Sequence, residues 1–134
     1  MGKVVINVDW CGKNYAASPD NDDIACVATG KTLVELKINM EDALRLHLDW
    51  MIADNDQLPD EFLGELCFDY HLTTRAQLHY SENFITRKAL SEVTGINLQQ
   101  LSHYANGWRH PRPGMQQRIK SGLNEIVQKL SIIL

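Results

Sequence analysis

The chain has 134 residues, 44% hydrophobic and 22% charged, a composition that excludes a disordered segment and leaves room for one ordinary domain or two small ones. No apolar run approaches the roughly 20 residues needed to cross a bilayer, and the opening MGKVVINVDW lacks a secretory leader's profile, so a cytoplasmic protein is expected. The formal charge of −4 averages two unlike halves: residues 1–60 carry five Lys and Arg against eleven Asp and Glu, a net of −6, and residues 71–134 carry eight against three, a net of +5. Such segregation predicts an acidic module joined to one that tolerates a polyanion. Cys11, Cys26 and Cys67 are odd in number and fall in no metal-ligand spacing, which predicts buried free thiols and no zinc site.

In chain order, KVVINVDW (3–10) alternates with period two and is rich in β-branched residues, which predicts a strand. CGKN reads as a turn, YAAS as a short second strand, PDNDD as another turn, and IACVATG (24–30) as a third strand. Three short strands need a covering helix. Thr32 and Glu35 fit a capping box, in which each side chain satisfies the other residue's free backbone N–H. Beyond them Leu33, Leu36, Met40, Ala43, Leu44, Leu48 and Met51 recur at helical spacing, leaving Lys37, Glu41, Asp42, Arg45 and Asp49 for water. LGELCFDYHL (63–72) reads as a fourth strand, with Asp69 facing outward or paired locally.

Two tempting chemistries fail on residues. ACVATGKT ends like a phosphate-binding loop, but Ala25 stands where the motif needs its first Gly, and the capping box already accounts for Thr32. Asp9, Glu41 and Asp69 are carboxylates that a sheet could gather around Mg²⁺, yet Glu41 falls on the outer side of an amphipathic helix and no Ser-His-Asp or Cys-His arrangement has local support. No enzyme, cofactor or metal is expected.

From residue 73 the period is helical. TTRAQLHYSEN forms a first short helix and TRKALSEV a second, with Thr86 as its N-cap, Leu90 and Val93 on one face, and Ala89 as the small residue at a helix crossing. Gly95 falls where a helix end needs a left-handed residue, Ile96 plugs the turn, Asn97 caps the next helix with Gln100 able to complete the box, and Gly107 stops it. Leu101 with Tyr104 or Ala105 turn inward. Helix, Gly-containing turn and second helix make a helix-turn-helix pattern. Its outer face would carry Leu98, Gln99, Ser102 and His103, groups of the kind that read base edges, with Gln100 and Asn106 completing the candidate contacts. Arg87, Arg109, His110 and Arg112 would meet phosphates. The same polar face also fits a merely solvated helical corner. The last helix opens at Pro113, and its stripe of Met115, Ile119, Leu123, Ile126, Leu130 and Ile133 fits either an internal core or a dimer contact, the latter through Ile126, Leu130 and Ile133.

ALSEVTGINLQQLSHYANGWRHPRP resembles the helix-turn-helix of the Xre/Cro-like phage-repressor class, and YAASPDNDDIACVATGKTLVELKINMEDALRLHLDWM resembles the HicB antitoxins. The resemblance implies an α+β protein. Residues 1–71 would form a HicB-like, partial RNase H-like domain, a small antiparallel sheet with one covering helix, and residues 72–134 an all-α DNA-binding domain. It further implies an antitoxin of a type II toxin–antitoxin system. Such a protein masks a small HicA-like ribonuclease and represses its own operon by binding double-stranded operator DNA as a homodimer or higher oligomer. A stand-alone transcription regulator with a ligand-sensing front domain is the alternative.

Overall fold

In the computed structural model, which describes residues 2–134, the alternation of the first ten residues becomes β1 (Gly2–Trp10), with Val4, Ile6 and Val8 buried and Lys3, Asn7 and Asp9 in water. β2 (Tyr15–Pro19) returns antiparallel to it, Ala17 opposite Val8, and β3 (Ala28–Gly30) adds antiparallel to β2. The third strand is therefore shorter than expected. Ile24 and Cys26 keep the buried alternation, but Cys26 N–H bonds back to Ile24 O and only Ala28–Gly30 joins the ladder. Burial period two thus survives without sheet pairing. Of the three thiols only Cys26 is buried, with its pKa pushed up by that burial; Cys11 and Cys67 are exposed.

α1 (Leu33–Ala53) starts as the capping chemistry requires, with Glu35 N–H donating to Thr32 Oγ1 at 3.1 Å. The other half of the box differs: the Glu35 carboxylate reaches Lys31 N–H at 3.4 Å rather than Thr32 N–H. Leu36, Met40, Leu44 and Leu48 are buried and α1 packs on β2 and β3, each side chain contributing about 1.5–3 kcal/mol against its exposed state. After a single 3₁₀ turn (Asp60–Phe62), β4 (Leu66–Leu72) enters beside β1, Phe68 opposite Val4 and Leu72 opposite Val8. It runs parallel, so the sheet, in order β3-β2-β1-β4, is mixed rather than antiparallel. The reason is topological: a helical crossover between two strands of one sheet brings the chain back in its original direction. Glu41 is likewise not left to water, because Tyr70 O–H from β4 donates to its carboxylate at 2.7 Å and Lys37 Nζ lies 4.9 Å above the Tyr70 ring.

The chain divides into two compact units, the first ending at Thr73 and the second spanning Thr74–Leu134. The second is all helical: α2 (Thr74–Ser81), α3 (Arg87–Thr94), α4 (Leu98–Asn106) and α5 (Pro113–Ser131). The protein is thus α+β, with one four-stranded sheet and five α-helices among the described residues. Leu78, Leu90, Ile96, Leu101, Tyr104 and Ile119 form the core of the second unit, supported by Met115, Leu123 and Ile126 from α5. Ala89 is only half-buried; the close helix contact falls instead at Gly122, where a Cβ would stand 2.5 Å from Thr94 Cγ2 and block the approach of α5 to α3. Among the described residues no helix is long and apolar enough to cross a membrane.

Candidate functional site

The stretch from Thr86 to Arg112 is built by local chemistry at each junction. Thr86 Oγ1 accepts from Ala89 N–H at 3.0 Å and opens α3. Gly95 closes it at φ +72°, a left-handed value that costs a side-chain-bearing residue about 1 kcal/mol or more. Ile96 is pinned in the turn: its N–H donates to Thr94 Oγ1, its carbonyl accepts from Ser91 Oγ at 2.6 Å, and its side chain is buried. Asn97 Oδ1 then accepts from Gln100 N–H at 2.8 Å and starts α4, which Gly107 ends at φ +78°. Two arginines meet the negative ends of these helices, Arg118 Nε donating to Thr94 O at 2.9 Å and Arg75 Nε to Ala105 O at 3.4 Å.

With Leu101 and Tyr104 buried, α4 turns a polar stripe outward: Gln99, Ser102, His103 and Asn106, with Leu98 about half exposed at its start. These residues are not equally free. Ser102 Oγ donates to Leu98 O at 2.9 Å and accepts from Arg87 Nη1 at 3.0 Å. The Arg87 guanidinium is also paired with Glu82, its Nε donating at 2.7 Å. Arg87 and Ser102 therefore tie the start of α3 to α4, and the Arg87 charge already has a counterion. Gln100 does not complete a capping box; its Nε2 donates to Tyr104 O–H at 2.7 Å, which fixes the amide against the core. Gln99 and Asn106 are exposed, as are Arg109, His110 and Arg112 in the loop to α5.

Asn97, Gln99, Gln100, His103 and Arg109 line a depression of about 290 Å³ on one side of α4. Trp108 stands beside it, 75% exposed, with its ring 5.5 Å from that of His103. Reading by helix periodicity passes over this residue because it lies past the Gly stop; an aromatic inside the basic run GWRHPRP is the signal that marks it. The surrounding charge is one-sided. From Val93 to Asn124 the chain carries no Asp or Glu, and among the described residues no carboxylate comes within ion-pair reach of Lys88, Arg109, Arg112 or Lys120.

The three candidate metal-binding carboxylates of the first unit each have their own partners. Asp9 Oδ1 accepts from Thr73 Oγ1 at 2.6 Å and from Trp10 N–H at 2.8 Å, Glu41 holds Tyr70, and Asp69 pairs with His71 at 2.7 Å and Lys3 at 3.4 Å. The His71 hydrogen bond, aided by Lys3, keeps the Asp69 pKa below the usual carboxylate range. Burial first, then the Glu41 hydrogen bond, raises the Tyr70 pKa well above the usual phenol value. Among the described residues no three His, Cys, Asp or Glu are placed to hold a metal ion. The candidate dimer residues differ among themselves: Ile126 packs partly into the core, whereas Leu130 and Ile133 are 52% and 77% exposed. Searched against protein-family models and against curated proteins, the chain matches no family model and no curated protein.

Proposed function

We propose that the second unit is a helix-turn-helix that reads double-stranded DNA, with α4 in the major groove and the loop after it on the phosphate backbone. One observation carries this reading: α4 presents Gln99, His103 and Asn106 outward from a rigidly capped helix, flanked on the same chain segment by the unpaired cations Arg109 and Arg112. Base reading needs donors and acceptors on a rigid element, and phosphate contact needs cations without internal partners. Arg87, Leu98, Gln100 and Ser102 take a supporting part in this account, positioning α4.

The likeness of residues 15–51 to HicB antitoxins extends the proposal to the whole chain: an autorepressing antitoxin of a toxin–antitoxin pair, cytoplasmic, whose acidic first unit masks a small basic ribonuclease and whose second unit dimerises through Leu130 and Ile133 on the operator. The net charge of the first unit supports that choice of partner, since fourteen Asp and Glu stand against five Lys and Arg. The ligand-sensing alternative has less behind it. The sheet depression lined by Asn7, Asp9, Ser18 and Val27 encloses about 240 Å³, less than the roughly 300–1,000 Å³ usual for small-molecule sites.

The test is a paired substitution on a duplex selected by the native chain from a random-sequence pool. Gln99→Ala should cost about 1–3 kcal/mol on the selected duplex and little on a scrambled one, whereas Arg109→Ala should weaken both and flatten the slope of log affinity against log salt by about one unit. Equal affinity of the native chain for selected and scrambled duplexes would refute base reading. Co-expression with the product of the neighbouring gene tests the antitoxin half, and failure to co-purify would refute it.

A further inference from the structure

Trp108 is a feature of this surface that neither base reading nor phosphate contact uses. An indole has a large apolar area, and here most of it faces solvent, 75% exposed, in a loop that also carries Arg109, His110 and Arg112. It is not a loose side chain. Its backbone N–H donates to His103 O at 3.0 Å, the same carbonyl that Arg109 N–H approaches at 3.3 Å, and its ring leans on the His103 imidazole at 5.5 Å with 36° between the planes. The left-handed turn at Gly107 places the Trp108 backbone here, and the ring lies beside His103 at the end of α4.

Charge decides what can cover it. The segment from Val93 to Asn124 has no acidic residue, and Trp108 is followed at once by Arg109, His110 and Arg112. An ordinary apolar protein surface docking there would strand those cations without counter-charge, at a desolvation cost. A polyanion that also offers apolar surface between its charges meets both demands. In a duplex the base faces are stacked away, and the C–H surface between phosphates belongs to the deoxyribose rings.

We propose that Trp108 packs its indole against the deoxyribose of the DNA strand bordering the groove that α4 enters, between phosphates held by Arg109 and Arg112. The contact is neutral and sequence-independent, so it adds affinity and fixes the angle of α4 without selecting bases. This rests on the duplex-binding part of the proposal above, not on base preference.

The full chain carrying 5-fluorotryptophan gives three resonances, for Trp10, Trp50 and Trp108, and Trp108→Phe assigns the last. With the selected duplex at saturation, the Trp108 resonance should shift and lose its accessibility to a soluble paramagnetic probe, while Trp10 and Trp50 stay as they were. Trp108→Ala should weaken binding of selected and scrambled duplexes alike by about tenfold, within the range of stacking contacts to nucleic acid, and Trp108→Phe should recover most of that. Because indole displaces no counterions, the salt slope should stay unchanged. A flattened slope would mean that Trp108 only positions the arginines, and would overturn the contact. So would an undiminished accessibility at saturation, or tighter Trp108-dependent binding to single-stranded than to duplex DNA, which would point to base stacking instead. The two proposals separate cleanly. Base preference lost with Gln99→Ala while Trp108 stays accessible removes this inference alone. A protected Trp108 without base preference upholds it and removes base reading, and a chain that binds no duplex removes both.

Discussion

The two units of this chain spend their charged residues in opposite ways. The unit ending at Thr73 carries a net charge of −9, and several of its acids are held by local partners: Asp9 by Thr73, Glu41 by Tyr70, Asp69 by Lys3 and His71. The helical unit from Thr74 carries +5, and its cations fall into two groups. Arg75, Arg87, Arg118 and Lys129 hold helix ends or glutamates, while among the described residues no acid comes within ion-pair reach of Lys88, Arg109, Arg112 or Lys120. A net charge therefore says little until the paired residues are set aside. Three of those four, Arg109, Arg112 and Lys120, follow α4 in the chain, and that is why the proposed polyanion contact is placed at this end of the unit.

Each unit has its own core, and the largest effects should come from testing that separation. Leu36→Ala in the first unit and Leu101→Ala in the second, both fully buried, should each cost about 2–5 kcal/mol. Leu101→Ala should lower the denaturation midpoint of the helical unit and leave the near-ultraviolet signal of Trp10 and Trp50 at its native midpoint. One shared transition for both variants would contradict independent cores.

A smaller effect should follow from the stripe on α5. Leu130→Glu with Ile133→Glu should leave helix content unchanged, since both side chains are mostly exposed, and convert the proposed dimer to monomers by sedimentation. A native chain that sediments as a monomer at micromolar concentration would end the dimer proposal. Ile126 is a poorer choice for this experiment, because it also packs against the core of its own unit.

Much of the second unit was legible in the sequence because its junctions are decided within three or four residues. Thr86, Gly95, Asn97 and Gly107 act on their own neighbours, and each stands where that local chemistry requires. The stripe of α1 was legible for the same reason, being a matter of period. The failures share one cause, a partner distant in sequence. The direction of β4 depends on the crossover through α1, and the pairing of Glu41 depends on Tyr70, 29 residues away. In the loop before β3 the alternation of Ile24 and Cys26 was correct as burial and misleading as pairing, since the ladder with β2 begins only at Ala28. For the candidate site, exposure of Gln99, Asn106, Arg109 and Arg112 followed from period and turn chemistry, but the capture of Arg87 by Glu82 and Ser102 needed side-chain directions that spacing does not supply.

The smallest effect concerns acid. His79 on α2 has its pKa lowered, chiefly by burial, with Arg75 adding to the shift and Glu82 opposing it. A histidine whose folded pKa is depressed stabilises the fold fully above its unfolded value, about 6.5, and that contribution is lost as pH falls through the folded value. The helical unit should therefore lose stability slightly as pH falls below about 6.5, and His79→Gln should flatten that limb. An unchanged acid limb in the variant would assign it to other groups.

The assignment of polyanion binding to one end of one unit is tested most directly by mapping backbone amide shifts of the full chain as the selected duplex is added. The largest changes should cluster from Asn97 to Arg112, with the strands and α1 of the first unit unmoved. Changes centred on β1 to β4, or spread evenly over Lys88, Lys120 and Lys129 with Gln99 and His103 silent, would contradict the account.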